Sequence, residues 1–301
     1  MSVFRILSFE GGGVRGALSV CILGRLVKYY PELLTKTTLY TGTSTGSYIS
    51  LCLANNLPLS TLENLYSVET SKHIFTLPRP SIIMPKYNNK NLKKVLSNTF
   101  PNNTTLEDLP NLVFIPSFNV KGYNNKQVVF FNNITPNETS KETVVNTALY
   151  SSAFPTVFPS CNSFIDGAII NNAPTVAPIL FMRSISQNKY PISDFRLLSI
   201  GTGYYPTKIN SNIKNWGTLQ WGISPHKNTP LPLLDILLFA PLELNYQYSK
   251  ELLKNNFFAI NPLLQNPISM DSYKQIPLLY EIGNKLDLSD ARRFIENYYL
   301  K

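Results

Sequence analysis

Apolar residues come first as a short run, VFRILSF at 3–9, and then, past the glycines of EGGGVRG, at helical spacing through ALSVCILGRLVKYY from Ala17. The chain therefore opens as strand, tight turn and helix. The same order returns at once: TTLYT at 37–41 predicts a second buried strand, GTSTG at 42–46 a turn, and SYISLCLANN a helix. Two such units in succession predict an α/β fold with helices on the faces of a sheet. NLVFIPSFNV (111–120) and KQVVFFNN (126–133) predict two more strands around Gly122, and FRLLSIGTG (195–203) a central strand ending in a glycine turn. Between Ile82 and Asn111 the pattern turns polar, which predicts a surface excursion with one short helix, NLKKVLSN.

Two late stretches carry a different pattern. LPLLDILLFAPLELNYQY (231–248) is apolar but interrupted by Pro232, Asp235 and Pro241, which predicts a core or cap helix able to serve as an interfacial lid. IPLLYEIGNKLDLSDARRFIENYYLK, from Ile276, keeps helical spacing throughout and predicts a docked amphipathic helix with a charged outer face. With no solenoid repeat and no low-complexity linker, residues 1–301 are expected to form a single domain.

Composition narrows the class. Of 301 residues 44% are hydrophobic, enough for a sizeable core, and 27 Lys+Arg against 18 Asp+Glu leave a net charge of +9. That charge favours anionic partners, nucleic acid or acidic lipid head groups, without choosing between them. Cys21, Cys52 and Cys161 lie far apart with no C-x-x-C spacing, so neither a zinc site nor a disulfide framework is expected. The chain starts directly in a strand-like segment, and no run approaches the ~18 apolar residues of a membrane span. A cytoplasmic protein, peripheral at membranes, is the expectation.

The chemistry lies in the glycine turns. Gly42-Thr43-Ser44-Thr45-Gly46 is a G-x-S-x-G between a β-branched strand and an apolar helix, the setting of a nucleophile elbow, in which Ser44 projects above the sheet at a helix N-terminus. A serine hydroxyl needs a base to take its proton. His73 and His226 both sit in polar surroundings away from any glycine turn, whereas Asp166, in SFIDGAIINNAP, follows a short apolar run and precedes glycine. Asp108, Asp194, Asp235, Asp271, Asp287 and Asp290 have the settings of caps and solvated faces. Gly11, Gly13 and Gly16 fit G-x-G-x-x-G, but the acid nearest the spacing for a ribose, Glu32, precedes the second strand, and no Gly-Lys-Ser/Thr follows for a P-loop. Backbone N–H groups aimed at an oxyanion are the better use of that loop.

Taken in order, GGGVRG, GTSTG and DGA resemble the motifs of the patatin-like phospholipases. SSAFPTVFP (151–159), LLSIGTG (197–203), NWGTLQWGISP and PLPLLDILL extend the likeness over nearly the whole chain. The resemblance implies a three-layer α/β/α sandwich with a mostly parallel central sheet. It implies Ser44 as nucleophile and Asp166 as proton acceptor, Gly11, Gly12 and Gly13 as the oxyanion loop with Arg15 anchoring it, and Gly16, Gly42, Gly46, Gly167 and Ala168 as motif positions. Glu10 stands where the family carries aspartate. The implied activity is hydrolysis of fatty-acyl esters of phospholipids or related lipids through an acyl-enzyme, with no metal and no cofactor. The expected partner is a lipid at a membrane or micelle surface, an anionic interface suiting the charge, and no nucleic acid. Two alternatives stay open: a catalytically idle module of the same fold that binds lipid or protein, and a nucleotide-binding α/β protein.

Overall fold

The computed structural model describes residues 3–301 except 82, 102, 207, 208, 210, 211 and 224–230, so His226 lies outside the described residues. Seven strands among them form one sheet: β1 (Phe4–Phe9), β2 (Leu39–Gly42), β3 (Leu112–Tyr123), β4 (Lys126–Asn132), β5 (Phe164–Asp166), β6 (Phe195–Ile200) and β7 (Phe257–Ile260). Their spatial order is β4-β3-β2-β1-β6-β7, with β5 also beside β3. All neighbours from β3 to β7 along this order run parallel, while β4 and β5 join β3 antiparallel.

Side-chain alternation divides the core in two. Leu7 and Phe9 of β1, with Leu198 and Ile200 of β6, pack on one face against the helices Gly16–Tyr29 and Thr45–Ala54. Phe4 and Ile6, with Phe195 and Leu197, face the other way, toward the helix Ala177–Ile185 and the end of the long helix Pro232–Leu253. Helices on both faces of a mostly parallel sheet make the three layers. Every residue of Thr45–Ala54 is buried, which fits a sequence, TGSYISLCLA, without a charge. No helix among the described residues is long and apolar enough to cross a membrane.

The first strands and helices appear within two or three residues of their predicted places. Two predictions fail in detail. The hairpin β3–β4 turns at Asn124 and Asn125, both at positive φ, the geometry of a tight two-residue turn. Gly122, at φ +87°, lies instead where the ladder shifts register between Phe118 and Tyr123. The C-terminal stretch is not one helix but Ile276–Lys285 and Ser289–Phe294, continued by a π-helical turn at Ile295–Tyr299. The break occurs because Leu286 is extended and Asp287 accepts hydrogen bonds from the Ser289 N–H (2.9 Å) and hydroxyl (2.6 Å), starting a new helix. Arg5 of β1 fastens this tail by donating to the carbonyls of Tyr299, Leu300 and Lys301.

Strand β3 positions the site. One of its edges is taken by β4; the other is shared, first by β2 up to the pair Thr41↔Phe114, then by β5 from Ser117↔Asp166 to Asn119↔Phe164. Running in opposite directions along one edge, β2 and β5 meet head to head. Each ends at the gap between them, β2 leading into Ser44 and β5 ending in Asp166.

Candidate active site

Ser44 follows β2 with φ 54° and ψ −123°, outside the regions an L-residue prefers. The turn is held by its glycines. A Cβ on Gly42 would lie 2.2 Å from the Gly46 carbonyl oxygen, and one on Gly46 2.3 Å from that of Phe9 in β1. The Ser44 N–H donates to the Ser151 hydroxyl (3.1 Å), which itself donates to the Pro116 carbonyl of β3 (2.8 Å).

Across the gap, the Ser44 hydroxyl donates to Oδ2 of Asp166 at 2.6 Å. The other oxygen, Oδ1, accepts the Ala168 N–H at 2.8 Å, so the DGA turn aims the carboxylate with its own backbone. Gly167 allows the approach to β3, because a Cβ there would sit 2.2 Å from the Pro116 carbonyl oxygen. Asp166 has no solvent exposure, and burial pushes its pKa up to about 7 against the hydrogen bonds from Ser44 and Ala168, which favour the charged form. His73 does not compete for the serine: it is exposed on the helix Val68–Ile74, and its carbonyl accepts from Asn91.

The triglycine loop joins β1 to its helix beside this pair. The Gly11 N–H is occupied, donating to the carbonyl (3.3 Å) and side-chain oxygen (3.1 Å) of Asn172. Those of Gly12 and Gly13 have no acceptor among the described residues. Gly13 has φ +60°, and a Cβ on it would lie 2.1 Å from the Met270 carbonyl oxygen, which accepts the Val14 N–H at 2.8 Å. Arg15 reaches back to the carbonyls of Gly12 and Gly203 through long contacts, both 3.4 Å, and burial lowers its pKa. Gly16 lies against Tyr66, whose ring would be 2.4 Å from a Cβ there.

Glu10, at the base of the loop, is buried and accepts from the Tyr246 hydroxyl and from the Asn261 amide at 3.1 and 3.0 Å. Desolvation pushes its pKa up to about 8, opposed by the positive charge of Arg15 and by hydrogen bonds from Thr202 and Asn261. A carboxyl raised in the folded state contributes stability that is complete below its ordinary value near 4.5 and is lost as pH rises through about 8. Glu10→Gln removes that loss, so native protein is expected to lose more melting temperature between pH 5 and 9 than the variant, as a thermal-unfolding series in matched buffers will record.

A cavity of about 490 Å³ opens above Ser44, Asp166 and the glycine loop. Its lining includes the apolar Leu65, Phe75, Leu92 and Phe158, and one face of Pro232–Leu253 lines it as well. Two aspartates expected at caps or solvated faces are elsewhere. Asp235 lines the cavity, and Asp271, beside Met270, accepts from Lys86, from the Tyr87 hydroxyl (2.8 Å) and from Ser269 (2.7 Å), tying the 267–273 loop to the excursion around Tyr87. Asp108 does cap its turn, accepting the Thr105 N–H at 2.8 Å. Asn172, Ser151, Tyr246, Asn261 and Met270, which hold the site, were not legible as site residues. Asn172 follows the DGA turn by a few residues, while the others come from segments with no glycine motif, and only tertiary packing brings them there.

Comparison with known proteins agrees with this architecture. The model of the patatin-like phospholipase family matches residues 7–179. CotR of Bacillus subtilis (strain 168) is 30% identical over 98% of both chains, and the protein teg of Priestia megaterium is 30% identical over 98% of this chain and 99% of its own. A cGAMP-activated phospholipase of Pseudomonas aeruginosa is 28% identical, covering 86% of this chain and 78% of its own. The sheet, the elbow between β2 and its helix, and these matches place the chain in the patatin-like phospholipase family.

Proposed function

We propose that this protein is a lipid acyl hydrolase of the phospholipase A type, with Ser44 as nucleophile and Asp166 as its base. The observation that carries the reading is the 2.6 Å hydrogen bond from the Ser44 hydroxyl to a fully buried carboxylate, at the floor of a largely apolar cavity. Ser44 Oγ attacks the ester carbonyl while its proton passes to Asp166 Oδ2; the carbonyl oxygen, now negative, is met by the free N–H groups of Gly12 and Gly13. Collapse expels the alcohol, which takes the proton from Asp166, and leaves the acyl chain on Ser44. Water, deprotonated by Asp166, then attacks the acyl-enzyme; as the fatty acid leaves, Asp166 returns that proton to Ser44 Oγ and both groups are restored. Gly11 serves the loop differently from its neighbours: its N–H is spent on Asn172, which fixes the loop's entry. Arg15 and Glu10 hold the loop from beneath.

The long helix supports a lipid surface as the place of work. Its outer face exposes Leu233, Ile236 and Leu237, while its inner face lines the cavity with Leu238, Phe239 and Leu242, so Asp235 is the one charge on an otherwise apolar first half. Joined to the +9 charge, this favours an anionic interface. The test is fatty-acid release from mixed phospholipid vesicles in EDTA. Hydrolysis that persists in chelator and falls with rising salt is the expected result, because the charge on the interface is then screened. A folded protein that releases no acid from any ester offered would replace this reading with that of a binding module.

A further inference from the structure

Four carboxyl or guanidinium side chains line the cavity, and three have assigned work in its floor: Asp166 receives Ser44, Glu10 holds Tyr246 and Asn261, and Arg15 spans the glycine loop. The fourth, Asp235, has no hydrogen bond or ion pair from its carboxylate among the described residues, although it is half-buried in a helix otherwise rich in leucine. A carboxylate withdrawn from water without a partner is costly, and such a group calls for an explanation. Burial raises its pKa to about 6, so at neutral pH and above it is charged.

The helix places Asp235. Residues 235, 238, 239 and 242 all line the cavity, at the i, i+3, i+4, i+7 spacing of one helical face. Four residues beyond Leu242 on that side, Tyr246 bonds Glu10 at the base of the glycine loop. Asp235 is eleven residues before Tyr246, hence about 16 Å further out along the axis. It therefore occupies the outer end of the cavity wall, with Phe239 one turn further in. Elsewhere the lining is apolar, with Leu65, Leu92 and the touching rings of Phe75 and Phe158, centroids 5.8 Å apart.

These placements divide the cavity by chemistry. An acyl chain laid against an ionised carboxylate would strip its water and return nothing, so the chain belongs against the apolar lining and the polar part of the lipid beside Asp235. An ionised carboxylate only accepts hydrogen bonds, and its best ligand in a partly dry site is a cation. Phe239, one turn from Asp235 on the same helical face, and Tyr204 and Tyr205 of the same cavity are side chains of the kind that receive ammonium groups. We propose that Asp235, with Phe239 beside it and the other aromatic side chains of the cavity, forms a subsite for the ammonium group of a zwitterionic phospholipid head group. This rests on the acyl hydrolase reading for its orientation, since Ser44 marks the ester. It also separates two uses of charge: the basic surface draws the protein to a membrane, and one acid in the cavity selects the molecule taken from it.

The subsite can be tested without catalysis. In Ser44→Ala protein at pH 8, monomeric dodecylphosphocholine and dodecyl maltoside are titrated by calorimetry, with and without Asp235→Asn. Loss of a charge-assisted contact is expected to raise the Kd for dodecylphosphocholine about tenfold, and that for dodecyl maltoside by less than about twofold. An unchanged Kd for dodecylphosphocholine overturns the subsite. Equal weakening of both ligands also overturns it, identifying a hydroxyl-binding carboxylate instead. Failure of the hydrolase reading is seen separately, in the fatty-acid release of native protein. Asp235→Glu, which keeps the charge, is expected to retain the preference for phosphocholine.

Discussion

Replacing Asp166 by asparagine is expected to lower fatty-acid release by roughly 10⁴-fold while leaving the protein folded and, at pH 8, more stable than native. Ser44→Ala should lose activity to the same extent, because the two residues act as a unit and removing either removes the whole proton-coupled attack. The asparagine variant is the more informative. Its side-chain oxygen can still accept the Ala168 N–H while its amide N–H donates to the Ser44 hydroxyl oxygen, so the pair stays in contact and only the capacity to take the proton is lost. Its stability follows from burial. The Asp166 carboxyl titrates near 7 in the fold, above its ordinary value of 3.8, so its contribution to stability is complete below about pH 4 and disappears as pH rises through about 7. Asparagine has no charge to bury. Thermal unfolding of both proteins from pH 4 to 8 should show a gap in melting temperature that opens with pH, and initial rates of native protein should rise through about pH 7 as the base ionises. A native rate already level at pH 5 would remove Asp166 as the base.

Gly13→Ala should have the next largest effect, on the order of 10²-fold in kcat, with less change in KM. At φ +60° an alanine is strained by roughly 1–3 kcal/mol, and its methyl group would stand 2.1 Å from the Met270 carbonyl oxygen. The loop must therefore shift, and the Gly12 and Gly13 N–H groups lose their aim at an oxygen that becomes negative only during reaction. Steady-state kinetics on a water-soluble ester separate kcat from KM without the complication of an interface. Equal activity of native protein and the alanine variant would mean that the oxyanion is held elsewhere.

Local constraints made much of this readable in advance. The elbow was legible because Gly42 and Gly46 are required by atoms within the turn or in the adjoining strand, and a strand-turn-helix rhythm surrounds them. Asp166 was legible as a turn, but its strand was not, since β5 has only three residues and shows no alternation. The short helices Leu59–Leu65, Val68–Ile74 and Val144–Ser151 gave no periodic signal long enough to predict. Gly122 drew the hairpin turn toward itself, although Asn124 and Asn125, two and three residues on, are what form it. The partners of Glu10 lie 236 and 251 residues away, and no local pattern connects them.

The meeting of β2 and β5 on one edge of β3 makes enzymatic competence depend on alignment as well as on folding. A slip of β5 by two residues would keep each side chain on its proper face of the sheet and preserve a ladder, yet move Asp166 by about 7 Å from Ser44. Such a molecule would be compact, would melt cooperatively and would be silent. Material recovered from denaturant can thus look native to circular dichroism while its specific activity falls short. Counting reactive serines with a covalent organophosphate, rather than counting folded protein, measures how much of a preparation has found its alignment.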